Sequence, residues 1–133
     1  MRNISFIAVV AMAAMMVSCK SGVAMIDNQA FAITELNGTA LPGSEMAKPS
    51  IMFEGGRVSA TVGCNTIGGE YKADAEGNIT ITQGMSTKML CPEEMREDEF
   101  LAAFNKVAKY TTSDSGEVSF LDAQGNLLFK AKK

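Results

Sequence analysis

The 133-residue chain contains no histidine and no tryptophan. Without histidine it lacks the commonest general base and the commonest metal ligand together. Acidic groups outnumber basic ones, 15 to 12, for a net charge of −3, and no stretch gathers Lys and Arg into a stripe. That balance argues against nucleic acid as a partner. The longest apolar run, Ile4 to Val17 with Ser5 as its one polar break, is shorter than the about 20 residues a membrane-crossing helix needs. No internal repeat and no low-complexity segment occurs, and the length has room for one domain of ordinary size.

What is present begins with that run. Arg2 precedes it and Met16-Val17-Ser18-Cys19 ends it, followed by the polar Lys20-Ser21-Gly22. A charged start and a short apolar stretch suit a signal peptide. Small residues just before a cysteine resemble the bacterial lipobox, with Met16 where Leu is more usual. The resemblance implies a diacylglycerol on Cys19 and cleavage in front of it. Residues 1–18 are then a lipoprotein signal peptide, 19–29 a lipidated tether and 30–133 the folded domain. An ordinary signal peptide cleaved near Ser18 would instead leave a secreted protein with a spare thiol. Chemistry favours the lipid, because an exposed unpaired thiol is a liability in an oxidising compartment. Each buried methylene contributes about 0.8 kcal/mol, so several acyl chains anchor firmly where one is marginal. Lys20 is not acidic and no acidic run follows, which leaves the periplasmic face of the outer membrane as the expected location.

From Phe31 onward short alternating runs are separated by glycine turns. The expected strands are Phe31 to Leu36, Ile51 to Glu54, Arg57 to Val62, Glu70 to Ala73, Asn78 to Thr82, Tyr110 to Ser113, Glu117 to Leu121 and Leu127 to Lys130. Gly55-Gly56 suits a primed hairpin turn, and Asp74 to Gly77 joins another hairpin. Val58, Ala60 and Val62 share one face, as do Ile79 and Ile81. Between Pro92 and Val107 the period changes to that of a helix, with Phe100, Phe104 and Val107 on one stripe and acidic residues at its start. The predicted fold is mainly β: a small antiparallel barrel of about eight short strands with one α-helix around residues 92–107. A two-sheet sandwich is the alternative. A barrel hides its strand edges most cheaply.

Cys64 and Cys91 remain once Cys19 is assigned to lipid. A nucleophilic role for Cys64 lacks a histidine to activate it. Met85 and Met89 lie near Cys91, so a thiol–thioether copper site is one reading, against which both methionines would simply fill core space. A disulfide is the leading reading; it would close a loop of about 28 residues and contribute roughly 3 to 4 kcal/mol by loop-closure entropy. Two free buried thiols compete with it, since sequence does not show that the Cα atoms approach. The acidic group Glu93, Glu94, Glu97, Asp98 and Glu99 reads as a solvated helix start, lacking the spaced ligands of a calcium loop. Ser86-Thr87-Lys88 matches no serine–lysine motif, and the glycines around Cys64 lack the Lys-Ser/Thr of a phosphate loop and read as turn residues.

Four segments carry a family resemblance: residues 31–41, 50–71, 81–104 and the closing 118–130. Their most specific parts are Gly63-Cys64-Asn65 with Gly69 and Tyr71 behind, and Thr87, Met89 and Cys91 ahead of the acidic helix. They resemble the META domain family, which includes the heat-shock lipoproteins of the HslJ type. Phe31 stands where many members have Trp. The resemblance implies a lipocalin-like β-barrel with one helix, an association with envelope or heat stress and resistance to certain antibiotics, and no catalytic residues. The expected protein is therefore a non-enzymatic, monomeric envelope lipoprotein without cofactor or metal, held to the membrane through Cys19. The alternatives are a barrel that binds a small apolar ligand, or an inhibitor docking on a periplasmic enzyme.

Overall fold

The computed structural model describes residues 25–41 and 48–133; the expected signal peptide, Cys19, most of the expected tether and the loop at Pro42 and Gly43 lie outside the described residues. Among the described residues nine strands form one antiparallel sheet: β1 Gln29–Leu36, β2 Thr39–Ala40, β3 Ser50–Glu54, β4 Arg57–Thr61, β5 Thr66–Ala73, β6 Ile79–Ser86, β7 Lys109–Thr112, β8 Glu117–Leu121 and β9 Leu127–Lys132. The order is β6-β5-β4-β3-β1-β9-β8-β7, with the two-residue β2 folded back on β1. The first and last strands meet where β9 pairs with β1, so the interruption in the meander falls between β6 and β7.

The sheet curls into a half-barrel and its two edges touch at one corner. There the Ile79 N–H donates to the Ala108 carbonyl at 3.1 Å, and the Tyr110 N–H donates to the Gly77 carbonyl at 2.9 Å. Past Ile79 the outer edge of β6 has no strand beside it among the described residues. A bulge interrupts β5–β6 pairing between Ile67 and Gly69. Following the strands from this corner defines two ends. The lower end gathers residues 25–28 and the turns at 55–56, 74–78 and 113–117. The upper end gathers the turns at 37–38 and 122–126, the bend at 62–65, the loop 87–92 and the helix.

The alternating residues fill the interior. Val58, Ala60 and Val62 are all buried, and Ile79 is buried with Ile81 packed against the core. Aromatic rings run through the barrel in mutual contact. Tyr71 meets Phe53 edge-on, Phe53 stacks on Phe120, Phe120 on Phe129 with centroids 4.5 Å apart, and Phe129 meets Phe100 below the helix. Burying each such side chain contributes about 1.5 to 3 kcal/mol, so this column is a main source of stability.

The helix is shorter than its apolar stripe suggests. A 3-10 turn, Glu93–Met95, is followed by Arg96 at φ +54° and only then by α1, Glu97–Phe104. A left-handed residue stops helical hydrogen bonding, so Pro92 caps the short turn and Arg96 becomes the hinge into α1. Val107 stays buried beyond the end of α1. The folded part also begins before residue 30, since Ile26 is fully buried and β1 starts at Gln29.

Candidate functional site

The segments singled out by the resemblance converge at the upper end. A disulfide joins Cys64 to Cys91, with Cα atoms 5.7 Å apart. Beside it Asn65 is the one buried polar residue among those described, 6 % exposed. Its Nδ2 donates to the Met89 carbonyl at 2.9 Å and to Cys91 Sγ at 3.2 Å. Its Oδ1 accepts from the Thr87 hydroxyl at 3.0 Å and from the Met89 N–H at 2.6 Å. Both donors and both lone pairs of the amide are thereby engaged. Thr87 Oγ1 also accepts from the Thr66 N–H at 3.0 Å, and the Thr87 N–H returns to the Thr66 carbonyl at 3.1 Å. The loop 87–91 is thus held to the bend 63–66 by one covalent bond and by every polar group of a single side chain.

The glycines have reasons other than turning. Gly63 lacks a positive φ; a Cβ there would meet Glu97 Oε2 at 2.7 Å and Met95 at 3.2 Å. Gly68 and Gly69 lie inside β5, and a Cβ on Gly69 would come within 2.5 Å of the Thr82 carbonyl. Reading Gly68 and Gly69 as turn residues is therefore corrected, since both lie within a strand and close backbone approach requires glycine at 69, whereas Gly63 does lie in the bend 62–65. Tyr71, at the lower end, donates its hydroxyl to Asp27, and burial followed by that bond pushes the phenol above its ordinary pKa.

Arg96 fixes the helix from the other side. Its Nε and Nη2 reach the two Glu99 carboxylate oxygens at 2.7 Å each, and Nη2 also donates to the Leu36 carbonyl at 3.1 Å. Asn37 Nδ2 donates to Glu99 at 3.0 Å. The Arg96 and Asn37 hydrogen bonds hold the Glu99 carboxyl down to about 2. The sequence marks Asn65 only through the family resemblance, with no role attached, and does not mark Arg96. The pairing of Asn65 with a neighbouring cysteine was the available signal for the first, and no local signal marks the second.

The other candidate chemistries resolve as follows. Cys64 Sγ, Cys91 Sγ and a Glu97 oxygen lie within 4.8 Å of one another, but the sulfurs are bonded to each other and offer no thiolate. Met85 and Met89 do not fill the core: they are 85 % and 59 % exposed. Ser86 gives its hydroxyl to the Thr87 carbonyl at 3.0 Å. Between the loop 86–92 and α1 runs an open groove of about 570 Å³, walled by Ser86, Met89, Glu93, Glu97, Asp98 and Leu101.

A curled antiparallel half-barrel with a helix at one end, the loop leading to that helix pinned by a disulfide and a saturated asparagine, defines a small mainly β domain. The chain belongs to the META domain family, whose family model matches residues 24–133. No curated protein matches the sequence. Solved structures share the fold at low identity. A protein from Burkholderia xenovorans is 18 % identical with a TM-score of 0.59, over 81 % of this chain and 83 % of that one. A DUF4847 family protein from Bacteroides vulgatus is 14 % identical with a TM-score of 0.59, over 81 % and 94 %.

Proposed function

We propose that the chain is a non-enzymatic cell-envelope lipoprotein, a monomer anchored through Cys19 in the outer membrane with its domain on the periplasmic side, in the structural or stress-related role that the family resemblance implies. The observation that carries this reading is how the family-specific residues are used. Gly63, Cys64, Asn65, Thr87, Met89 and Cys91 join the loop 87–91 to the bend 63–66 and the helix start; four of them also border the groove, but the cysteines are bonded to each other and every polar group of the Asn65 amide is already engaged. No histidine exists to activate a nucleophile, and the two described cysteines are joined. The alternative of a ligand held inside the barrel is disfavoured by the interior itself, because Phe53, Phe100, Phe104, Phe120 and Phe129 occupy it fully buried and in ring contact.

The test is made on protein expressed from its own leader in a bacterial host. Intact mass is expected to show cleavage before Cys19 and acyl additions on it, and Cys19→Ala to shift the protein from the membrane to the soluble fraction. A deletion strain is expected to lose viability under heat or antibiotic challenge and to regain it with the wild-type gene. An uncut leader on protein free in the cytoplasm would falsify the reading.

A further inference from the structure

The upper end carries features that the staple does not explain. We propose that the open edge of β6, with the groove that continues from it, accepts an extended basic peptide segment of a partner protein as an additional strand. The edge comes first. β6 is the last strand of the sheet, and from Thr80 to Ser86 its outer backbone groups have no neighbouring strand among the described residues. No charged residue and no proline falls between Gly77 and Thr87, so the usual guards of an exposed edge are missing apart from the bulge opposite Gly68. An unguarded edge of this kind is the template used in strand addition.

Side chains extend the surface past the edge. Met85, Met89 and Leu90 are 85 %, 59 % and 102 % exposed, three large apolar groups within six positions. Clustered exposure on this scale marks interaction surfaces on soluble domains. The wall opposite is acidic. Glu93, Glu97 and Asp98 face the groove, while Arg96 is tied to Glu99 in a bidentate pair and Lys88 is the other cation of the described lining. An excess of carboxylates beside an uncharged edge and an exposed apolar cluster fits a strand that alternates basic and apolar side chains.

The position of the surface selects a protein over a lipid. The described chain starts at Met25 on the lower end, and the five residues between Cys19 and Asp27's turn, 20–24, reach at most about 18 Å when extended. An anchor at Cys19 therefore holds the lower end toward the bilayer and the groove away from it. This orientation step rests on the anchoring proposed above; the edge, the apolar cluster and the charge do not.

The full chain, purified as expressed, is titrated with the peptide acetyl-Lys-Val-Lys-Val-Lys-Thr-amide, with its Glu-for-Lys counterpart and with an N-methylated version, while amide shifts and hydrogen exchange are followed. The basic peptide is expected to bind at least tenfold tighter than the acidic one and to slow exchange in 80–86. N-methylation is expected to abolish that protection. Met85→Lys, at an exposed position, is expected to weaken binding at least tenfold, and Asp114→Ala at the far end to leave it unchanged. Absence of binding at millimolar peptide overturns the proposal, as does equal binding of both peptides. Binding of anionic vesicles through Met89 and Leu90 that the basic peptide does not displace overturns it in favour of a lipid surface. Membrane fractionation of the same preparation reports separately on the anchor, so the two readings fail independently.

Discussion

Asp74-Ala75-Glu76-Gly77-Asn78 and Asp122-Ala123-Gln124-Gly125-Asn126 differ at one position, and each closes a hairpin, β5–β6 and β8–β9 respectively. Their internal bonding is the same. In each, the first aspartate accepts the backbone N–H groups two and four residues on, at 2.9 to 3.0 Å, and the asparagine side-chain amide at 3.0 to 3.1 Å. In each, the glycine has a positive φ, +98° for Gly77 and +85° for Gly125. The surroundings differ. At the lower end Tyr110 donates its hydroxyl to the Asp74 carbonyl and its N–H to the Gly77 carbonyl, and a Cβ on Gly77 would lie 2.7 Å from the Tyr110 carbonyl. Nothing lies within 4 Å of the corresponding point on Gly125. Five residues therefore encode the turn, but a tyrosine over 30 positions away decides that only one copy becomes part of the seam between β6 and β7.

The sharpest separation of the two copies comes from their glycines. Gly125→Ala carries the left-handed backbone cost of about 1 to 2 kcal/mol. Gly77→Ala carries that cost and a collision with a backbone carbonyl that is itself in the seam, for a total of about 3 kcal/mol or more. Urea midpoints at unchanged slope measure the difference. Equal losses would mean that the seam yields, and the comparison would collapse to turn chemistry alone.

Removing the tyrosine hydroxyl is a milder intervention on the same contrast. Tyr110→Phe keeps the ring and both backbone bonds but leaves the Asp74 carbonyl without this donor, for an expected loss of about 1 kcal/mol. Combined with Gly77→Ala the loss should fall short of the sum, because both changes act on one contact. Combined with Gly125→Ala at the other end it should be additive. Additivity in both pairs would show that the hydroxyl does not read the position of the lower turn.

The same division between local and distant causes explains what the sequence discloses. Alternation at Val58, Ala60 and Val62 is a property of neighbours, and these residues are buried as the pattern implies. Proximity of Gly69 to Thr82, or of Gly63 to Glu97, is set by register and by where the helix lands, and no local pattern contains it. The apolar stripe overstates the length of the helix for a related reason. Arginine is an ordinary helix former, and Arg96 leaves helical geometry under bonds to Glu99 and to Leu36, the latter on β1. The two cysteines could be ranked as a pair from their compartment, but their 5.7 Å approach follows from the sheet order. Asn65 is intelligible only with the loop 87–89 in place, 22 to 24 positions along the chain.

The smallest expected difference between the two turns is electrostatic. Both aspartates sit below the ordinary carboxylate value, Asp74 first through the side-chain amide of Asn78 and Asp122 first through the backbone N–H of Asn126. A carboxyl depressed in the folded state stabilises it above the unfolded pKa of about 3.9, and that contribution disappears as pH falls through the lower folded value. Asp122 has one influence that Asp74 lacks, the charge of Lys106. Hydrogen bonds are insensitive to salt, whereas an exposed charge pair is screened with a Debye length of about 10 Å at 0.1 M and about 3 Å at 1 M. Carboxyl carbon NMR titrations are therefore expected to place both midpoints below the ordinary value of about 3.9. Raising the salt from 0.05 to about 1 M should move the Asp122 midpoint upward and leave that of Asp74 in place. Lys106→Ala should produce the same upward shift at low salt and remove its salt dependence. If both midpoints moved together, the two turns would be electrostatically equivalent, and Tyr110 alone would distinguish them.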